Sequence, residues 1–274
     1  MRIPEGNPLT PRKAALGKKL FFDARLSADR STSCSGCHDP KYGYTIGAAQ
    51  PIGAFGVAQN RACPSLINAG YAKGYFWENI PMTLEKAAAG VWTFILVPKG
   101  EGRPTPEDIA KRLNEDKALR AEFVGVFGEP ATVDNIPKAL ASFIRTLVPS
   151  KSAWVRFYDG DRNALPAEAR RGYEVFDGKA HCSNCHSGVL LADRLRHDVG
   201  TGGMFKTPTL LNIARSTPYF HDNRMAVLDE AVGRMLAGGF ETKTPDPQLK
   251  AVTLTAEERR ALLVFLAELN ADPD

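Results

Sequence analysis

Two five-residue stretches carry the most legible chemistry in this sequence: Cys34-Ser35-Gly36-Cys37-His38 and Cys182-Ser183-Asn184-Cys185-His186. Two thiols separated by two residues can each add to a vinyl group of one porphyrin, and a histidine directly after the second thiol can aim its imidazole at the iron. With five cysteines and five histidines in 274 residues, even one chance CxxCH is rare, so two make a strong signal. A zinc site and a thioredoxin-like redox pair also use CxxC, but neither explains a histidine after each second cysteine. The motifs predict two covalently bound c-type haems, attached through Cys34 and Cys37 and through Cys182 and Cys185. His38 and His186 are the expected iron ligands.

Something must hold each motif in place, and a helix precedes both. Pro11 to Phe22 carries apolar residues at Ala14, Leu16, Leu20 and Phe21, a helical spacing. Pro166 to Phe176 leads into the second motif. The two helices end alike, in Phe21-Phe22-Asp23 and Val175-Phe176-Asp177, and the two motifs lie 148 residues apart (182 minus 34), a weak internal repeat. Between them, Asp39 to Asn68 reads as loop, Thr83 to Ala89 opens a helix, and Thr105-Pro106-Glu107-Asp108 opens another with Pro and acids in its first turn. Asp134 to Leu147 reads as a strong helix, and Pro149 to Asn163, with Gly, Pro and Asp among aromatics, as a domain boundary. A last helix, Thr255 to Leu269, starts with Thr255-Ala256-Glu257-Glu258 and carries an apolar stripe. The predicted fold class is mainly α, with two cytochrome-c-like domains, 1–150 and 151–274, each with one haem and its own core.

Composition excludes several other classes. The chain is 43% hydrophobic and 24% charged, without a low-complexity tract. Its net charge of +4 comes from well-mixed residues, not the basic stripe that a phosphate backbone requires, so nucleic acid is not an expected partner. The longest apolar stretch, Ala87 to Pro98, falls short of the roughly 20 residues of a membrane span. The first residues lack the apolar core of a signal peptide, so localisation rests on chemistry: haem is attached by thioether on the periplasmic side of bacterial membranes, which predicts a periplasmic protein. Four cysteines serve the motifs, leaving Cys63 as a small buried hydrophobe rather than a disulfide partner.

Beyond the haem motifs, several blocks resemble the bacterial di-haem cytochrome c peroxidase family, which includes the MauG-like enzymes. They are Leu16-Gly17-Lys18-Lys19-Leu20-Phe21-Phe22-Asp23, Pro64-Ser65-Leu66-Ile67-Asn68, Phe76-Trp77-Glu78-Asn79, Ala139 to Leu147, Lys206-Thr207-Pro208-Thr209-Leu210-Leu211-Asn212, Pro218-Tyr219-Phe220-His221-Asp222 and Leu228-Asp229-Glu230-Ala231-Val232. The resemblance spans nearly the whole chain and implies a division of labour. The N-terminal haem meets hydrogen peroxide, and the C-terminal haem handles electrons.

Family peroxidases carry a methionine fourteen positions after the histidine of the Tyr-Phe-His-Asp block, which here is Met235; the MauG-like branch uses a tyrosine further on. Met235 is the implied sixth ligand of the C-terminal haem, with Met225 the competing candidate. Many family peroxidases cap the N-terminal iron with a histidine that here corresponds to Ala54, so this haem is expected to be open to peroxide without reductive activation. Trp77 matches the family's aromatic between the haems. The family's distal glutamate, which moves a proton between the peroxide oxygens, falls on Val97 when aligned forward from Trp77, where the family's Gln falls on Ala87. Aligned backward from Ala110-Lys111-Arg112-Leu113, the glutamate falls on Glu101, the expected acid/base. Ca2+ is a further implied cofactor, with Ser216 and Pro218 at carbonyl positions and Ala62 in place of an asparagine ligand. His221 and His197 read as structural, and His181 as exposed.

Three functions compete. The first is reduction of peroxide with electrons from a small periplasmic donor protein. In the second, a MauG-like enzyme stores two oxidising equivalents and oxidises residues of a partner protein. The third is a non-enzymatic di-haem electron carrier, which would need both irons six-coordinate.

Overall fold

The computed structural model describes residues 1–48 and 50–273 and is mostly helical. Its helices are α1 Pro11–Phe21, α2 Cys34–Cys37, α3 Leu84–Val91, α4 Pro106–Glu115, α5 Lys117–Phe127, α6 Asn135–Arg145, α7 Ala153–Tyr158, α8 Ala167–Asp177, α9 Leu228–Leu236 and α10 Ala256–Glu268. Two small antiparallel pairs complete it, β1 Gly74–Tyr75 with β2 Ile80–Pro81, and β3 Arg196–Asp198 with β4 Met204–Lys206. Helix starts follow local chemistry. Thr105 and Thr255 each form a capping box, trading hydrogen bonds with Asp108 and Glu258, so two otherwise orphaned donors are satisfied at each end.

The expected helices before each motif, at 105, over 134–147 and at the C-terminus are all present within a residue or two of their predicted ends. Two elements differ from expectation. The helix opened by Thr83 runs on through Trp92–Leu96 as a π-helical turn. The segment 149–163 contains α7, because Trp154 and Phe157 lie one turn apart and Trp154, 1% exposed, packs on Tyr173 and Phe265. Most of the buried apolar residues of both halves belong to one cluster running from Leu16 to Ala271, beside a small second cluster of Leu84, Ala141 and Ile144.

The internal repeat runs deeper than its helix ends suggest. Gly17 of α1 faces α6 so closely that a Cβ would lie 2.0 Å from the Ala139 carbonyl oxygen and 2.9 Å from Phe143 Cβ. Gly172 of α8 faces α10 in the same way, 2.0 Å from Ala261 O and 2.7 Å from Phe265 Cβ. Below each crossing an edge-to-face aromatic pair repeats, Phe21 with Phe143 at 5.1 Å and Phe176 with Phe265 at 5.2 Å. After each motif, Pro64-Ser65-Leu66-Ile67-Asn68 is matched by Pro208-Thr209-Leu210-Leu211-Asn212. Asn68 N–H donates to Leu147 O and Asn212 N–H to Leu269 O, both at 2.9 Å, which ties each loop to the end of its closing helix.

These crossings have no room for a methyl group. Gly172→Ala should destabilise the protein by about 1–3 kcal/mol in urea unfolding through overpacking at a backbone that cannot yield cheaply, whereas Gly6→Ala, where nothing lies within 4 Å, should stay within about 0.5 kcal/mol. Equal effects at the two positions would remove the crossing as a constraint.

Candidate haem sites

Each motif histidine is aimed by its own Nδ1. His38 Nδ1–H donates to the Tyr44 carbonyl and His186 Nδ1–H to the Leu191 carbonyl, both at 3.0 Å, leaving Nε2 with a free lone pair. Tight turns supply those carbonyls. Gly43, at φ +68°, reverses the chain after Pro40–Tyr42, and Gly188, also at φ +68°, does so before Leu191. A hydroxyl holds each preceding carbonyl, Ser65 Oγ on Gly43 O at 2.7 Å and Thr209 Oγ1 on Leu190 O at 2.8 Å. Burial pushes His38 down to about 4, against the opposing pull of the Tyr44 bond, and lowers His186 as well. Both rings are therefore uncharged near neutral pH, the state an iron ligand requires.

The cysteines divide by environment. Burial pushes Cys34 and Cys182 up to about 12 and Cys185 up to about 11, so all three stay protonated thiols. Cys37 is lowered, chiefly because the Cys63 thiol hydrogen-bonds to it, and Cys63 is raised by the same contact and by burial. Cys63, expected as a small buried hydrophobe, is half-buried, with its thiol beside that of Cys37.

A cavity of about 250 Å³ gathers the second set. Cys182, Cys185, His186, Met235 and Trp77 all line it, together with apolar side chains from α9 and α10 and with Phe205 and His221. Met225 instead pairs its backbone with Tyr219. A largely apolar cavity with two thiols, an imidazole with free Nε2 and a thioether fits a thioether-linked haem, which Cys182 and Cys185 would attach and to whose iron His186 and Met235 would offer donor atoms. Trp77 is fixed there by its indole N–H, which donates to Ala62 O at 2.9 Å, and by Lys206 N–H on its own carbonyl at 2.8 Å.

Around the first motif the loop carrying Ala54 closes in. Cys37 Sγ lies 3.9 Å from Ile52 O, Ala54 is fully buried, and the Arg103 guanidinium sits 4.3 Å above the Phe55 ring. Arg103 thereby ties the exposed turn holding Glu101 to the loop holding Ala54. Val97, the alternative position for the acid, is an apolar side chain 1% exposed.

Sequence reasoning named Trp77 and Met235 and read His197 as structural, but it did not foresee how charge is arranged beside this cavity. Lys206, half-buried on its wall, bonds Gly74 O and is depressed to about 8, first by burial and then by Arg194. His197 is clasped between two half-buried carboxylates, Nε2 to Asp193 at 2.7 Å and Nδ1 to Asp246 at 2.6 Å. Cys185, Asp193 and His197 offer donor atoms within 4.8 Å of one another, but both His197 nitrogens are already taken. No local spacing announces such a clasp, whose outer members lie 53 residues apart (246 minus 193).

A family description, Di-haem cytochrome c peroxidase, matches residues 11–163. The Methylamine utilization protein MauG of Methylorubrum extorquens is 32% identical over 98% of this chain and 81% of its own length. The chain belongs to the di-haem cytochrome c peroxidase family. Cytochrome c551 peroxidase of Nitrosomonas europaea is 34% identical over 81% of this chain and 72% of its own length. Among solved structures, a MauG-like protein associated with microbial copper homeostasis superposes with a TM-score of 0.89 at 26% identity, covering 98% of this chain and 92% of that one. The protein is thus a haem-dependent oxidoreductase of this family, and none of its helices, among the described residues, is long and apolar enough to cross a membrane.

The His197 clasp has a defined pH window. Burial alone would lower His197, but the two carboxylates outweigh it and hold the imidazole above its usual value; burial would raise Asp193 and Asp246, but hydrogen bonds, those to His197 among them, hold them below theirs. A raised histidine stabilises fully below about pH 6.5 and loses that contribution as pH climbs through its folded value. Depressed carboxylates stabilise above about pH 4 and lose it as pH falls. His197→Gln should therefore cost on the order of 1–3 kcal/mol, most at about pH 5–6, with the gap in thermal midpoint from the wild type narrowing toward alkaline pH. A gap independent of pH would mean that the clasp carries no proton.

Proposed function

We propose that this chain is a di-haem c-type peroxidase that reduces hydrogen peroxide at an N-terminal haem with electrons relayed through a C-terminal haem. The observation that carries the reading is the sharing of one cavity by Met235 with Cys182, Cys185 and His186. Thioether and imidazole as axial ligands raise a haem potential, which suits an electron-handling site. The tyrosine ligand implied for the MauG-like branch has no counterpart, since no tyrosine stands between residues 220 and 274.

Haem attached at the two motifs would supply one iron for peroxide and another for electrons. His38 holds the first site from one side, and Ala54 brings only a methyl group where the capping histidine of related peroxidases belongs. Glu101 is the proposed acid/base, supported by the stacking of Arg103 on Phe55 that draws its turn to the Ala54 loop. Trp77 is the proposed relay between the sites, its indole fixed at the cavity wall. The repeated helix crossings support two cytochrome-c-like domains, 1–150 and 151–274. Thioether attachment supports a periplasmic location, with a small electron-donor protein as partner. Ca2+ is left out of the proposal: Ala62 offers no side-chain oxygen, and its carbonyl accepts the Trp77 indole N–H.

A second reading, oxidation of residues in a partner protein, is favoured by the alignment with MauG over 98% of this chain. Redox ligation separates the two readings. A methionine-ligated C-terminal haem belongs to the first, and its absence to the second.

Stoichiometric hydrogen peroxide added to the fully oxidised protein should change its optical and EPR spectra rapidly, without prior reduction. A response only after half-reduction would overturn the reading of Ala54, and two low-spin haems that ignore peroxide would make the chain a carrier. Glu101→Gln should slow the peroxide step by about 10²–10⁴ with resting spectra unchanged; a wild-type rate would place proton transfer elsewhere.

A further inference from the structure

The cavity that holds His186 and Met235 is also lined by a second imidazole, His221. Imidazole and thioether ligation give haem irons different potentials, with Met as the partner of His raising it. What keeps His221 from competing therefore bears on the site's working potential.

His221 is 4% exposed, and both its nitrogens are occupied. The Arg61 guanidinium donates from Nη1 to His221 Nδ1 at 2.9 Å. An arginine can only donate, so Nδ1 accepts and the ring proton resides on Nε2, which donates to Thr201 O at 2.9 Å. With one lone pair engaged and the other nitrogen protonated, the ring has nothing to offer an iron. It is further held by Phe205, whose ring centroid lies 3.7 Å away and under the Arg61 guanidinium at 5.0 Å. The backbone locks the same corner: Ala62 N–H donates to His221 O at 2.7 Å. The ion pair of Arg61 with Glu78, at 3.5 Å and half exposed, is a weak anchor by comparison.

We propose that Arg61 is a positioning residue that withholds His221 from the C-terminal iron and so reserves the sixth position for Met235. The inference rests on the reading of the second motif as a haem site with Met235 as ligand. Arg61 comes from the segment between the first motif and Trp77, so the N-terminal part of the chain sets the ligand of the C-terminal site.

The test uses the two-haem protein, with haem content checked by pyridine haemochrome. Arg61→Met keeps an apolar stem over Phe205 but removes the donors. It should weaken the far-red methionine-to-iron charge-transfer band, raise a bis-histidine EPR signature and lower the midpoint potential of the C-terminal haem. Arg61→Lys, which restores a donor, should keep the wild-type band, and adding His221→Gln to Arg61→Met should bring the band back. His221→Gln alone should leave ligation unchanged; loss of the band there would overturn the proposal, even if Arg61→Met failed to accumulate. A wild-type band that survives Arg61→Met at unchanged potential overturns this inference alone. A wild-type protein without the band overturns the Met235 ligand and this inference together.

Discussion

An imidazole binds iron through a nitrogen lone pair, and the destination of its one ring proton decides which nitrogen has it. At His38 and His186 a backbone carbonyl accepts a hydrogen bond from Nδ1–H, and in each half of the chain several elements keep that carbonyl where it is. A glycine at positive φ turns the chain, a Ser or Thr hydroxyl pins the neighbouring carbonyl, and an Asn after it bonds the end of a closing helix. On the second side Trp154 of α7 adds support, its indole N–H donating to Val189 O at 2.8 Å within the same turn. A carbonyl held by several elements costs little further entropy to present to the ring, so the ligand is pre-organised.

The same construction occurs twice, but the two sites are finished differently. Near the first motif a loop carries the buried Ala54, whereas at the second α9 brings Met235 to the wall of the cavity shared with Cys182, Cys185 and His186. Asymmetry thus enters through single side chains on a duplicated frame. That is economical physically, because the helix crossings at Gly17 and Gly172 tolerate almost no change while loop and helix-surface positions tolerate many.

Charge is handled by clasps across the junctions. His197 bonds Asp246, and Asp198 accepts from Gly200 N–H, Thr242 Oγ1 and Thr244 Oγ1, so β3 holds down the segment after α9 whose Asp246, Gln248 and Leu249 line the cavity. Arg61 and Trp77 reach the same cavity from the other half of the chain. Fixed partners of this kind leave little to reorganise when the local charge changes.

The two motifs, the helices before them and the capped starts at Thr105 and Thr255 were legible in the sequence, because each is encoded by neighbours a few residues apart, whereas the candidacy of Met235 came only from the family resemblance. Mainly α structure followed from those same local patterns. The depth of the repeat was not legible, since Gly17 and Ala139, or Gly172 and Ala261, meet only when distant helices cross. Trp154 and Phe157 read as boundary residues because their flanks are turn-formers, and only packing against Tyr173 and Phe265 shows them to be core. The ring proton of His221 is the clearest case. Its partner Arg61 lies 160 residues away, and a proton's place on an imidazole is decided by hydrogen-bond partners in space, which no spacing along the chain contains.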